Sequence, residues 1–231
     1  KPVKQENQAY LKEQILTYLG NKRSLLGFID LGVKYAKDEL KKEKLSCCDL
    51  FSGSGVVARF LKQNSEFIVA NDLEFYSFIT NSCYLQNATN ELRDEINFWQ
   101  KKLEKEIKDN LSEGFITRLY APQDDENIAF FARNLSTRKN AMFIDTARRL
   151  IDELMPEEMR KFFIAPLLYN ASVHANTSGI FKGFHKNKEG IGQFGGHGQN
   201  AISRITSDIN LTKPIFSNFN VPFEVYQKDA N

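Results

Sequence analysis

The sequence predicts an α/β protein, a doubly wound sheet interrupted by a mainly helical insert, and three observations carry that reading. A short apolar run, Leu45 to Phe51, turns through Ser52-Gly53-Ser54-Gly55 into a helical pattern over Val56 to Lys62, the strand, turn and helix order of an α/β unit. A second apolar run, Phe67 to Ala70, ends at Asn71-Asp72 and is followed by another helical pattern. Past Tyr120 the composition shifts to turn formers and acids, helical and glycine-rich stretches follow, and the chain returns to a strand at Phe223 to Gln227.

The 231 residues, 42% of them apolar, suffice for one good core or for a core with a smaller inserted domain. A net charge of +2 is too small to establish a polyanionic partner, so any such argument rests on where the charge lies. No stretch has the apolar length of a membrane span and no signal peptide is visible, which makes the cytoplasm the default; the lysine at position 1 points to a missing true start. Cys47, Cys48 and Cys83 match neither a disulfide framework nor a zinc spacing and read as small buried hydrophobes. His174, His185 and His197 have no cysteine or acidic cluster beside them, so no metal is expected.

Taken in order, Gln5 to Thr17 is a short helix or an arm, followed by Tyr18-Leu19-Gly20-Asn21-Lys22-Arg23. Ser24 is the expected cap of a helix running to about Lys42, with Leu25, Leu26, Ile29, Val33 and Tyr35 or Ala36 as its apolar face. Next comes the strand from Leu45 and its turn. Gly53 and Gly55 carry no Cβ, so the backbone can bend sharply there and admit a ligand against the main chain. With Ala58 the turn also fits a dinucleotide fingerprint, and Asp72 lies at the distance of a ribose acid. Asp49 discriminates, because an acid at the strand end suits a ligand with a cationic amino group better than a pyrophosphate. That favours S-adenosylmethionine over NAD. Asp72, at the carboxyl end of the second strand, can accept both hydroxyls of a ribose or cap the helix starting near Glu74, two roles that can coexist.

From Phe75 to Gln86, the stripe Phe75, Phe78, Ile79 and Cys83 reads as core packing, and Asn90 to Asp109 as a long exposed helix with a narrow face of Leu92, Ile96, Trp99, Leu103 and Ile107. Between Asn127 and Pro214 there are twelve Lys or Arg against seven Asp or Glu, an asymmetry that points to a polyanion. Thr137 to Leu154 and Pro156 to Val173 are expected helices, the second entered through a proline and glutamates. Ala175 to Lys186 suggests a hairpin. There Phe181 and Phe184 alternate with Lys182, His185 and Lys186, a combination that stacks on an extruded base and holds phosphates, the alternative being that the phenylalanines are core. Gly190 to Gln199 resembles a binding loop, without the Gly-Lys-Ser/Thr of a Walker phosphate loop. A helix over Asn200 to Asn210 brings Arg204 to the same basic face, and Asp229 follows the strand at Phe223 to Gln227.

In this order, Tyr18 to Leu26, Asp49 to Gly55, Asp72, Asn140 to Ile151 and Ala175 to Lys186 resemble the Dam-like class of N6-adenine DNA methyltransferases, especially the adenine methylases of type IIS restriction systems such as FokI. The resemblance covers nearly the whole chain. It implies a Rossmann-like core in which Tyr18 and Lys22 flank S-adenosylmethionine, Phe51, Gly53 and Gly55 wrap its methionine part, Asp72 takes its ribose hydroxyls and Asp229 reads its adenine edge. It also implies a cofactor-binding part over 1–124, a target-recognition domain over 125–215 and a return strand over 216–231. Lys182, Phe184, His185, Lys186 and Arg204 would then face double-stranded DNA, with a cognate restriction endonuclease as a further partner.

One departure matters. The Asp-Pro-Pro-Tyr signature, which in that family holds the adenine amino group and stacks on the flipped base, is absent from these residues, and the resemblance places it beyond Asn231. The chain is therefore expected to be the cofactor-binding and recognition part of a longer enzyme, unable to transfer a methyl group alone. The alternatives are a split or degenerate protein that binds DNA or cofactor without transfer, and an NAD-dependent oxidoreductase, which leaves Tyr18 to Arg23 and the basic insert unexplained.

Overall fold

The computed structural model describes residues 5–13, 16, 22–126, 135–177, 187–189 and 202–231. Two compact units divide the chain. The first takes in the described residues of Lys1–Ile15, Gly20–Glu95 and Pro214–Asn231, the second those of Leu16–Leu19 and Ile96–Lys213.

In the first unit, helix α1 (Gln8–Lys12) is capped by Asn7, whose side chain accepts from the Ala9 amide. A 3₁₀ turn over Lys22–Leu25 leads into α2 (Leu26–Leu40). Ser24 thus lies inside that turn and is not the cap: the capping position falls on Leu25, which makes no side-chain capping bond. The expected apolar face holds except at Leu25, with Ala36 rather than Tyr35 turned inward. Val33 is buried with Leu26, Ile29 and Ala36 against the core, whereas Leu25 and Tyr35 are 52% and 68% exposed. Lys41 ends the helix in the left-handed region, φ 52°, its amide reaching back to the last carbonyls.

Strand β1 (Leu45–Asp49), helix α3 (Val56–Lys62) and strand β2 (Ser65–Asp72) form a parallel unit, and β3 (Phe223–Gln227) joins the other side of β2, also parallel, in the order β1-β2-β3. This bears out an α/β fold and the strand at Phe223–Gln227, while β1 ends at Asp49 rather than running to Phe51 and β2 extends beyond the expected Phe67 to Ala70 at both ends. Leu45, Ile68 and Ala70 of the sheet are buried with Val33 of α2 and Ala58, Phe60 and Leu61 of α3, and Cys47, Phe223 and Val225 pack against them. Cys48 is exposed and Cys47 half-buried, so the buried-hydrophobe reading holds for Cys83 alone.

Helix α4 (Phe75–Tyr84) bears out the expected stripe only in part. Phe75 is 58% exposed, stacked on Phe78 at 6.3 Å between centroids, Phe78 and Ile79 are half-buried, and of the stripe only Cys83 is buried, beside Tyr84 and the polar Ser77, Thr80, Asn81 and Ser82. The reason is its neighbour. Asn81 donates to Ser52 Oγ at 3.0 Å and to Ser77 Oγ at 3.2 Å, so α4 meets the glycine turn through hydrogen bonds rather than apolar packing.

Two buried cations sit on α3. Arg59 lies between the rings of Tyr10 and Tyr84, 4.8 and 5.0 Å from their centroids, and donates to the Glu13 carbonyl. Lys62 donates to the Leu85 carbonyl at 2.6 Å, satisfying the carboxyl end of α4, and burial lowers its pKa to about 8.

In the second unit, α5 (Asn90–Asp109) continues from Ile96 as a mostly exposed helix with Ile96, Leu103 and Ile107 buried. Helix α6 (Phe115–Tyr120) takes its amino-terminal cap from a distance: Asp145 accepts from the amides of Gly114, Ile116 and Thr117 and from the Thr117 hydroxyl. That carboxylate belongs to α7 (Arg138–Leu154), which is itself capped by Thr137. Helix α8 (Glu157–Val173) starts after Pro156, and α9 is a short helix, Ile202–Thr206, in place of the longer one expected from Asn200 to Asn210. Across the described residues no helix is long and apolar enough to cross a membrane, and no cluster of His, Cys, Asp and Glu suits a metal ion.

Candidate functional site

The carboxyl ends of β1 and β2 meet at the glycine turn. Gly53 and Gly55 both adopt positive φ, 51° and 77°, a region that costs an L side chain about 1–2 kcal/mol. Gly55 is constrained twice, because a Cβ there would sit 2.7 Å from Asn81 Oδ1. Behind the turn Ser52 donates from its amide and from its hydroxyl to the Asn71 carbonyl, at 3.0 and 3.1 Å. The turn is thereby fastened to β2 below and to α4 beside it.

Asp49 closes β1 and is buried, 8% exposed. The amide of Ala58, in the first turn of α3, donates to its carboxylate, but Oδ2 is buried with no hydrogen-bond partner. Burial pushes its pKa above the ordinary carboxylate value; the charge of Lys22 opposes that shift and the nearby Asp72 adds to it. A buried carboxylate oxygen without a donor is costly for a fold.

Asp72, half-buried at the end of β2, accepts from the Gly53 amide at 2.7 Å and from the Glu74 amide at 3.1 Å. The second bond reaches only the amide of Glu74, the residue at the capping position of α4, which makes no side-chain capping bond, so Asp72 is not the cap of that helix as expected; the first ties the turn to the end of β2. A carboxylate has about four acceptor positions, so two remain. Phe51 is 68% exposed beside the turn, with Leu50, Leu73 and Phe75 also exposed around the strand ends.

Asn71 is a residue the sequence reading missed. Its amide donates to the Leu50 carbonyl at 3.3 Å and to the Lys228 carbonyl at 3.0 Å, and its oxygen accepts from the Lys228 amide. It therefore holds the segment carrying Asp229 beside the ends of β1 and β2. Asp229 itself is exposed and accepts from Asn231. Ser52, Ser77 and Asn81 were missed as well. For Ser77 and Asn81 the signal was the set of small polar residues Ser77, Thr80, Asn81 and Ser82 within the segment from Phe75 to Tyr84.

The structure thus brings Asp49, Gly53, Gly55 and Asp72 together, with Lys22 within electrostatic reach of Asp49. Tyr18, Lys182, Phe184, His185 and Lys186 lie outside the described residues. Arg204 is exposed on α9 in the second unit. Its helix is held by Asn140, which donates to the carbonyls of Ile205 and Ser207 and accepts from the Ile209 amide. The cations of α7 and α8 are largely matched: Arg148 pairs with Asp152, Arg149 with Glu153 at 2.8 Å, Lys139 with Asp208 at 2.6 Å, and Arg160 lies 3.8 Å from Asp152. The positive surplus of this half is not carried by those residues.

Asp49 at the end of β1, the glycine turn at positive φ and Asp72 at the end of β2 thus lie side by side. Residues 18–230 match the D12 class N6 adenine-specific DNA methyltransferase family. The chain belongs to this family. D12 class methyltransferases use S-adenosylmethionine as methyl donor. Among curated proteins, the chain is similar to the type II methyltransferase M.NlaIII of Neisseria lactamica, 26% identical over 221 residues, 94% of this chain and 59% of that protein. It is also similar to the modification methylase LlaI of Lactococcus lactis subsp. lactis, 28% identical over 74% of this chain and 27% of the relative. The type II methyltransferase M.CviAII of Paramecium bursaria Chlorella virus 1 is 27% identical over 73% of this chain and 49% of that protein. The chain therefore spans between about a quarter and three-fifths of the length of these relatives. No solved structure matches it.

Proposed function

We propose that this chain forms the S-adenosylmethionine site and the DNA-recognition part of an adenine-N6 DNA methyltransferase acting in a type II restriction-modification system. The observation that carries the reading is Asp49 Oδ2, buried, unpartnered and placed at the mouth of the glycine turn. The amino group of the methionine moiety is a cationic donor of the kind that oxygen lacks, and it forms a charge-assisted bond there. Gly53 and Gly55 admit the methionine backbone against the main chain, Asp72 keeps two acceptor positions for the ribose hydroxyls, and Phe51 offers an exposed apolar face. Lys22 and Tyr18 flank the same ligand, and Asp229 reads its adenine edge.

When bound, S-adenosylmethionine supplies a sulfonium methyl group for transfer to the adenine N6, which gives up a proton. In these residues the work is binding and orientation: Asp49 and Asp72 anchor the two ends of the cofactor on two different strands, so its position is set by the sheet. The recognition part is the segment over 125–215, inserted into a doubly wound core, where Lys182, Phe184, His185, Lys186 and Arg204 meet double-stranded DNA through phosphate contacts and stacking. The companion endonuclease of such a system is the expected partner, and the cytoplasm the expected site of action.

Calorimetric titration of the chain with S-adenosylmethionine and, separately, with NAD tests the cofactor. Binding confined to S-adenosylmethionine supports the reading, and binding of NAD alone overturns it. For DNA, the Lys182→Ala, Lys186→Ala double variant should weaken binding and flatten its dependence on salt by about two charges' worth. An unchanged slope would remove both lysines from the interface.

A further inference from the structure

Helix α5 buries Ile96, Leu103 and Ile107, and its opposite face carries a pattern that the fold leaves unused. Glu91, Asp94, Glu95, Lys101, Lys102 and Lys105 stand three, four and seven residues before and after Phe98, so on one continuous helix the repeat alone gathers them around that residue. All of them are exposed, and Phe98 is 59% exposed. The half-buried Trp99 meets the Phe98 ring edge-on, 5.3 Å between centroids.

The charges on this face are segregated, with the acids before Phe98 and the lysines after it. Glu91 and Glu95, like Lys101 and Lys105, are four residues apart, a like-charge spacing that weakens an isolated helix. Among the described residues none of the six is in an ion pair, and Lys102 lies over the Trp99 ring at 4.8 Å. The helix dipole accounts for Glu91 in the first turn, but it fades beyond the end turns and leaves Glu95, Lys101 and Lys102 unexplained. The order is a palindrome of opposite charge. A two-fold axis through Phe98 exchanges residues equally far before and after it, so it sets Asp94 against Lys102, Glu95 against Lys101 and Glu91 against Lys105 of a second helix, each pair made twice. The two Phe98 rings meet at the centre.

We propose that this face of α5 is a self-association surface, on which the same helix of a second copy of the chain docks antiparallel about Phe98. Charge complementarity names the occupant. A nucleic acid would meet the three lysines but be repelled by the three acids beside them, whereas a second copy satisfies both halves of the face. Exposed ion pairs are individually weak and screened by salt, and a helix face about 21 Å long is small beside the roughly 1,200 Å² of a stable interface. The dimer is therefore dependent on concentration and on salt. The inference goes beyond the cofactor and recognition readings and does not rest on either.

Sedimentation equilibrium of the 231-residue chain over a range of concentrations, in low and in high salt, is the test. Expected is a dimer in low salt whose dissociation constant weakens about tenfold or more in high salt. A variant with Asp94→Lys and Glu95→Lys, and another with Lys101→Glu and Lys102→Glu, should each be monomeric, because like charge then meets like across the axis. Mixed in equal amounts, the two should form a heterodimer of about the parent's affinity, since each new lysine faces a new glutamate and the remaining pairs are intact. That recovery also requires both variants to be folded. Should either lose its helical circular dichroism, the single reversals Asp94→Lys and Lys102→Glu are mixed in the same way. A parent chain that stays monomeric in low salt overturns the proposal, as does a dimer that the reversals leave unchanged or folded variants that do not recover on mixing. Lysine reversal that weakens DNA binding in a chain that is monomeric throughout overturns it in favour of a nucleic-acid contact.

Discussion

Replacing Asp49 by asparagine removes one negative charge while keeping the size of the side chain and an oxygen for the Ala58 amide. In the chain without ligand, Oδ2 is buried and unpartnered and burial raises the pKa of the group, so the charged form is held at a cost of about 1–3 kcal/mol. Asparagine relieves the charge but leaves its own amide protons short of an acceptor, which returns about 1 kcal/mol of that gain. The unfolding free energy should therefore stay the same or rise by roughly 1 kcal/mol, read by urea denaturation. Affinity should move the other way. A charge-assisted bond to the ligand's ammonium is worth about 1.5–3 kcal/mol, so binding of S-adenosylmethionine should weaken about ten- to a hundredfold by calorimetry. The pH dependence gives a second reading. Because the folded-state pKa is raised, the native chain holds the Asp49 proton more tightly than the unfolded chain, and the stability from this group is lost as pH rises through the raised value. Ligand binding needs the charged form, so affinity should fall as pH is lowered through the same range, and the Asn variant should show neither slope. A variant that is destabilised by more than about 2 kcal/mol yet binds as tightly as the parent would refute the reasoning and make Asp49 a structural carboxylate.

Gly55→Ala should cost about 2–4 kcal/mol, adding the penalty for a side chain at φ 77° to the displacement of Asn81 from its hydrogen bonds, and thermal unfolding measures it. Asp72→Ala removes the acceptor of the Gly53 and Glu74 amides, so stability should fall by about 2 kcal/mol and S-adenosylmethionine affinity by about 1–3 kcal/mol; affinity unchanged in the folded variant would exclude a ribose role. Lys62, lowered from 10.5 to about 8, releases its proton in the folded chain before the unfolded chain does. The stability from this group should therefore rise with pH between those two values, and denaturation of Lys62→Met across that range should lack the rise.

Local patterns were enough for much of the secondary structure. The apolar run before Gly53, the proline and glutamates before α8 and the narrow apolar face of α5 each obey short-range rules, and those elements begin and end close to where the rules put them. The errors have the same origin. Ser24 is a good capping residue by type, but the 3₁₀ turn carries the helix start past it. Phe75 has the spacing of a core stripe yet is exposed, and α4 buries Ser77 and Asn81 beside Cys83 because the Ser52 hydroxyl of the glycine turn bonds to both of them.

The candidate site divides in the same way. Asp49, Gly53, Gly55 and Asp72 were legible because each sits at a strand end or in a turn whose chemistry is read from a few neighbouring residues. Asn71 and Asn81 were not, since their roles exist only when segments far apart in the chain meet: Asn71 joins Leu50 to Lys228, and Asn81 fills the space above Gly55. The buried, unpartnered state of Asp49 Oδ2 likewise belongs to the fold, because burial arises from contacts between segments distant in sequence, which composition and periodicity do not encode.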